Sequence, residues 1–234
     1  MAGTDYKLDT EVKGKKTLLY MYGTILDQKP EKDFWTGEPV EMECIYPKQV
    51  RDIVQEIKTD EVELHINSNG GSVFASISIG NYLKSTGKKI TTVVDGIAAS
   101  GAAIIAMCGE EVKMNSNSQM MIHNAATFGF GNAKTLRKIA DDLEEIDKSV
   151  LNTFKARFKG ADEELAELLD GETFMSADKA LELGFCDEII TNEEKKEEEN
   201  DDEEVKEDES IEEKITNENK FLNGFVNLIN GGIK

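Results

Sequence analysis

Residues 61–94 constrain the fold more than any other stretch of the chain. Val62, Leu64 and Ile66 alternate with Glu61, Glu63 and His65, which is the period of a β-strand. The pair Gly70-Gly71 follows at once. Residues 72–86 then carry Val73, Ile77, Ile79 and Leu83 as apolar contacts of a helix, and residues 89–94 (KITTVV) return to a β-prone run. Strand, glycine turn, helix and strand follow one another in this order. This alternation indicates an α/β layered domain.

The rest of the chain repeats the alternation. Residues 17–23 (TLLYMYG) read as a strand. All three prolines, Pro30, Pro39 and Pro47, fall between 30 and 47 and, with Trp35 and Gly37, mark a loop. Val50, Ile53, Val54 and Ile57 predict a helix over 48–58, with Pro47 suited to its start. Residues 100–108 are small and apolar and suit a buried helix; 111–114 and 119–122 read as short strands. Leu136, Ile139, Leu143, Ile146, Val150 and Phe154 predict the longest helix, over 133–158. Helices over about 162–169 and 176–183 and a strand over 185–190 close the domain, which is expected to span 17–190 behind an N-terminal segment, 1–16.

Charge divides the chain. It holds 47 acidic and 27 basic residues, a net charge of −20. Residues 191–220 alone contain 15 acidic and 5 basic residues, half of that excess. Such a stretch buries too little apolar surface to offset its ordering entropy and reads as an acidic disordered linker. Phe221, Leu222, Phe225, Val226, Leu228 and Ile229 make residues 221–234 a short apolar C-terminal segment, either a loose tail or a tethered docking peptide. The negative charge argues against nucleic acid as a partner. No apolar run reaches the length of a membrane span, and the N-terminus lacks a signal-peptide core. Cys44, Cys108 and Cys186 have no CxxC spacing and read as reduced thiols of an intracellular protein, with no metal site.

Few residues can carry chemistry. Of the two histidines, His65 lies on the polar phase of its strand and reads as a surface or inter-subunit residue. His123 ends a strand and opens the glycine-rich loop 124–131, a normal place for catalysis, although a capping or core role is equally open. Ser100 follows a strand and opens an apolar helix. It is either an ordinary N-cap or a nucleophile beside free N–H groups that can hold an oxyanion. Its surroundings, IAASGAA, are not the GxSxG elbow. Gly70-Gly71 fits neither GxxxxGK[ST] nor GxGxxG, so no nucleotide cofactor is indicated. It is a tight turn or a source of an oxyanion donor. An acid that could complete a triad lies in Asp170-Gly171-Glu172-Thr173, where composition does not choose between Asp170 and Glu172.

Four segments, taken together, resemble the ClpP-type serine peptidases: Ile66-Asn67-Ser68-Asn69-Gly70-Gly71-Ser72-Val73, Gly96-Ile97-Ala98-Ala99-Ser100, Met121-Ile122-His123-Asn124 and Phe174-Met175-Ser176-Ala177 with Ala180, Gly184 and Asp187. The order and spacing are most similar to the phage ClpP-like head maturation (prohead) proteases. The resemblance implies a ClpP/crotonase-like spiral of βαβ units with a long handle helix that stacks subunits, and a ring-forming homo-oligomer. It implies Ser100 as nucleophile, His123 as general base and Glu172 as the orienting acid, with Asp170 as its rival. Gly71 and Gly101 N–H groups would form the oxyanion hole, Gly70 would shape the turn, and the loop beginning Ala125-Ala126 would lie beside an extended substrate. Neither a cofactor nor a metal is implied.

Asn69 stands where the family usually has proline, and Gly101 where housekeeping members usually have methionine. The leading expectation is a serine endopeptidase that cleaves capsid or scaffold proteins during head maturation in the host cytoplasm or procapsid, with cleavage of its own tail left open. The alternatives are an ATP-dependent ClpP subunit fed by a separate unfoldase, a crotonase-type acyl-CoA enzyme, and a non-catalytic scaffolding component.

Overall fold

The computed structural model describes residues 6–32, 36–39 and 42–191. All but the first residue of the expected acidic linker 191–220, the apolar segment 221–234 and Trp35 lie outside the described residues.

Eight strands form one sheet, with the path β1(Lys7–Lys13), β2(Lys16–Tyr22), β3(Glu61–Ser68), β4(Lys89–Ala99), β5(Glu111–Asn115) and β8(Glu188–Ile190). From β2 to β8 the neighbours along this path are parallel; β1 runs antiparallel to β2. Off the path, β6(Gln119–Ile122) pairs parallel with β4 and antiparallel with β7(Thr173–Ser176). The helices are α1(Pro47–Glu56), α2(Val73–Ser85), α3(Gly101–Ala106), α4(Ala133–Lys155), α5(Asp162–Asp170) and α6(Ala177–Leu183).

The central βαβ unit is β3–α2–β4, where the strand–turn–helix–strand pattern predicts it. Ser72 caps α2 by accepting from Ala75 N–H. Leu64, Ile66, Ile79, Leu83 and Val94 are buried in the core between sheet and helices. All six residues of α3 are buried, as their small apolar side chains require. Phe154, from the C-terminal half of α4, packs edge-on against Phe185 at 5.8 Å between centroids, and Phe158 stacks on the same ring at 5.5 Å.

Two elements escape the periodicity argument. Val12 is the one aliphatic between Leu8 and Lys13, so β1 shows no alternation to read; it exists because β2 offers it a full register from Lys7 opposite Tyr22 to Lys13 opposite Lys16. It carries the sheet back into the stretch expected to be a mere N-terminal segment. β7 is four residues long and is held by β6, with Met121 opposite Phe174.

One irregularity positions the site. β4 serves two neighbours: Thr91–Val94 pair with β5, and Ile97–Ala99 pair with β6. Its register against β3 shifts between Ile66 and Ser68. Gly96 lies at the shift, where a Cβ would come within 2.7 Å of Asn67 Oδ1. The bulge bends the strand and re-aims its end. That end delivers Ala99 and Ser100 beside β6.

Candidate active site

Ser100 stands between β4 and α3, at the N-cap position of the helix, yet its side chain makes no capping bond. Its backbone explains why. With φ 54° and ψ −122° it occupies a region rarely held by L-residues. Its N–H donates to Met121 O at 2.9 Å, which ties the turn to β6. The turn directs Oγ away from the helix end and toward the C-terminal end of β6. There His123 Nε2 lies 2.7 Å from Ser100 Oγ. Both residues are half-buried, so the pair is reachable from solvent.

Gly70 and Gly71 close the other side. Both have positive φ, 88° and 149°, and a side chain at either would collide with backbone: Ala99 O at Gly70, Ile25 O at Gly71. The turn is held by Ile25 N–H to Gly70 O and Ser72 N–H to Ile25 O, each 2.9 Å, and by Gly70 N–H to Ser68 Oγ at 3.0 Å. A Cβ on Gly101 would lie 3.4 Å from Gly71 N, so the two N–H groups are neighbours. Among the described hydrogen bonds neither Gly71 N–H nor Gly101 N–H has an acceptor. Two unpaired donors beside a serine–histidine pair are what a developing oxyanion needs.

The two candidate acids lie in different settings. Asp170, at the end of α5, accepts from Asn124 Nδ2 at 2.5 Å. Glu172 is exposed, with φ 46°, in the turn before β7. Among the described hydrogen bonds neither carboxylate reaches His123 Nδ1. The residue after His123 is also held by its main chain, with Asn124 N–H to Leu169 O at 3.3 Å. Ala125 is half-buried, Ala126 is exposed, and Phe128 and Phe130 stand fully in solvent beyond them.

Of the two places its alternation predicts, surface or inter-subunit, His65 departs from an open surface position: within the chain it is largely covered. Its side chain is 17% exposed, its ring stacks on Tyr20 at 5.0 Å, and it bridges Asp95 (Nδ1, 2.8 Å) and Glu63 (Nε2, 3.1 Å). Burial works against its charge, but the two carboxylates outweigh it and raise its pKa to about 9. Glu63, which burial would push up, is held to about 2 by His65 and Lys16. Tyr22 donates to Asp95 at 2.6 Å. This network joins β2, β3 and β4 and contains no group of the Ser100 site. Alternation alone could not reveal it, because Asp95 arrives from a different strand.

Among the described residues no cluster of His, Cys, Asp and Glu could hold a metal ion, and no helix is long and apolar enough to cross a membrane. Cys44, Cys108 and Cys186 are free and buried, and burial pushes the Cys108 thiol up to about 12.

A bulged parallel sheet that presents a serine, a histidine and two free N–H groups at the ends of its strands defines a class of protein. Residues 46–193 match the Clp protease family, and the chain belongs to that family. It is 30% identical over 134 residues to the ATP-dependent Clp protease proteolytic subunit 2 of Thermobifida fusca (strain YX). That match covers 56% of this chain and 66% of the relative, slightly under two thirds of its length.

Proposed function

We infer that the protein is a serine endopeptidase with Ser100 as nucleophile and His123 as general base. The observation that carries this reading is the 2.7 Å contact between Ser100 Oγ and His123 Nε2, made from a backbone that gives up the serine's capping role to make it. Ser100 O–H donates to Nε2, and attack on a peptide carbonyl moves that proton to the imidazole. The oxyanion is received by Gly71 and Gly101 N–H. Collapse expels the amine, which takes the proton from His123. Water then repeats the sequence on the acyl-enzyme. Glu172 is the acid assigned to orient the imidazole, since Asp170 is engaged by Asn124. Ala125, Ala126 and the loop beyond them would lie along the substrate, and Gly70 keeps the turn close.

The substrate reading is narrower. Capsid or scaffold protein cleavage during head maturation is supported by the acidic stretch after residue 190 and by Asn69 and Gly101 in place of the housekeeping residues. A second reading, a degradative subunit fed by a separate unfoldase, is favoured by the name of the Thermobifida relative. Either form is expected to work as a homo-oligomer.

Labelling with a fluorophosphonate followed by intact-mass measurement tests the chemistry. One adduct on wild type and none on Ser100→Ala is the expected result. An adduct on both overturns the assignment of Ser100. Loss of a C-terminal fragment from wild type only supports the maturation reading, and an intact chain that degrades proteins only with an unfoldase present supports the second.

A further inference from the structure

We propose that Asp147 of α4 is a positioning residue for the segment that carries His123, acting through the backbone of Ala125 and separately from the acid assigned to the ring itself. The inference rests on the serine-peptidase reading of Ser100 and His123. It starts from what holds the histidine. In a triad the third group grips the imidazole by Nδ1. Here, among the described hydrogen bonds, the grip is on the chain that follows the ring. Asp147 Oδ1 accepts Ala125 N–H at 2.7 Å across 22 residues of sequence. Asn124 is held beside it by Leu169 O and Asp170.

Three features make the Asp147 bond decisive. The first is that packing does not do its work. A cavity of about 410 Å³ opens between α4 and α5, lined by Asn124, Asp147, Lys148, Leu151 and Ala166 among others, so Asn124 and Asp147 border open space. The second is position. Among the described residues, no hydrogen bond joins 126–131 to any partner, and the next main-chain anchor is the Asn132 cap of α4. Ala125 N–H is therefore the last tether before an exposed stretch that ends in Phe128 and Phe130. The third is strength. A carboxylate accepting a backbone N–H makes a charge-assisted bond, stronger than a neutral one. The Ser100–His123 contact has no slack, and a small displacement of a reacting group lowers rate steeply.

The geometry also couples two parts of the molecule. Asp147 lies near the middle of α4. The half of the helix before it is largely exposed, and Val150 and Phe154 beyond it are buried. Whatever orders the projecting half acts on the histidine through this carboxylate.

The test compares Asp147→Ala and Asp147→Asn with wild type by the rate of fluorophosphonate labelling and by hydrogen exchange at the Ala125 amide. Asp147→Ala is expected to slow labelling by about tenfold and to speed Ala125 exchange, because a lost anchor misaligns the base. Asp147→Asn keeps an acceptor oxygen and is expected to stay within about threefold of wild type. Wild-type labelling by Asp147→Ala overturns the proposal. So does slowed labelling with Ala125 exchange unchanged, since the effect then runs by another route. If Asp147→Ala does not fold, Ala125→Pro removes the same bond from the donor side and, having no amide to exchange, is read by the labelling rate and the His123 ring signals. A wild type that takes no label sinks the peptidase reading instead. The positioning claim is then judged by exchange and by the His123 ring signals, assigned with His65→Gln: altered in Asp147→Ala supports it, unchanged overturns it.

Discussion

Ser100 is held in a backbone conformation that suits glycine, and that strain has a measurable size. A non-glycine residue in such a region costs on the order of 1–3 kcal/mol. Ser100→Gly is expected to raise the urea midpoint, by about 1 kcal/mol in stability, while abolishing labelling. A variant no more stable than Ser100→Ala would mean that the backbone there is unstrained. In Ser100→Ala, kcat is expected to fall on the order of 10⁶-fold, as in serine peptidases that lose the nucleophile. For the orienting acid, Glu172→Gln is expected to slow peptide hydrolysis more than Asp170→Asn, because the amide introduced by Asp170→Asn keeps an oxygen that can accept from Asn124; the reverse order moves the role to Asp170. His65 provides a pH prediction. Its folded pKa of about 9 lies above that of an unfolded histidine, so its contribution is fully present below about pH 6.5 and is lost as pH rises through 9. Wild type should lose on the order of 2 kcal/mol more than His65→Gln between pH 6 and pH 10, read from urea midpoints. Equal losses would mean that the Asp95–His65–Glu63 bridge carries no net stability.

At the scale of elements, α4 has two halves with different duties. Val150 and Phe154 anchor its C-terminal half, and Phe154→Ala is expected to cost about 3–5 kcal/mol through the cavity left beside Phe185. The N-terminal half exposes Leu136 and leaves Ile139 and Leu143 half-buried. Leu136→Lys is expected to change the unfolding midpoint of the single chain by less than about 0.5 kcal/mol. It should nevertheless lower the mass seen by light scattering, if this face meets a second copy. An unchanged mass would remove α4 from the assembly. The helix was legible from its 3.6-residue period, since Leu136 to Phe154 mark one face whether or not that face is covered. β1 was not legible, because most of its residues are polar and its extension depends on the hydrogen-bonding edge of β2.

For the whole molecule, the domain closes with β8: its Glu188 pairs with Lys113 of β5, and Asp187 just before it accepts from Arg157, which follows α4. A chain ending at Thr191 is therefore expected to label at the full-length rate and to melt within about 2 °C of it. A large loss would mean that the residues beyond 191 complete the fold or the site.

The α/β class, the strand–turn–helix–strand order at 61–94, the long helix, and Ser100, His123, Gly70 and Gly71 as candidate residues followed from local pattern. Period, glycine turns and residue chemistry are written in adjacent residues. The Ser100–His123 contact, the free N–H pair, the Asp147–Ala125 bond and the bridge from His65 to Asp95 did not. Each joins residues 22 or more apart, or residues on different strands, and depends on the bulge in β4 and on which strands become neighbours. Sequence spacing says which groups exist along the chain; only the packed sheet sets the distances between them.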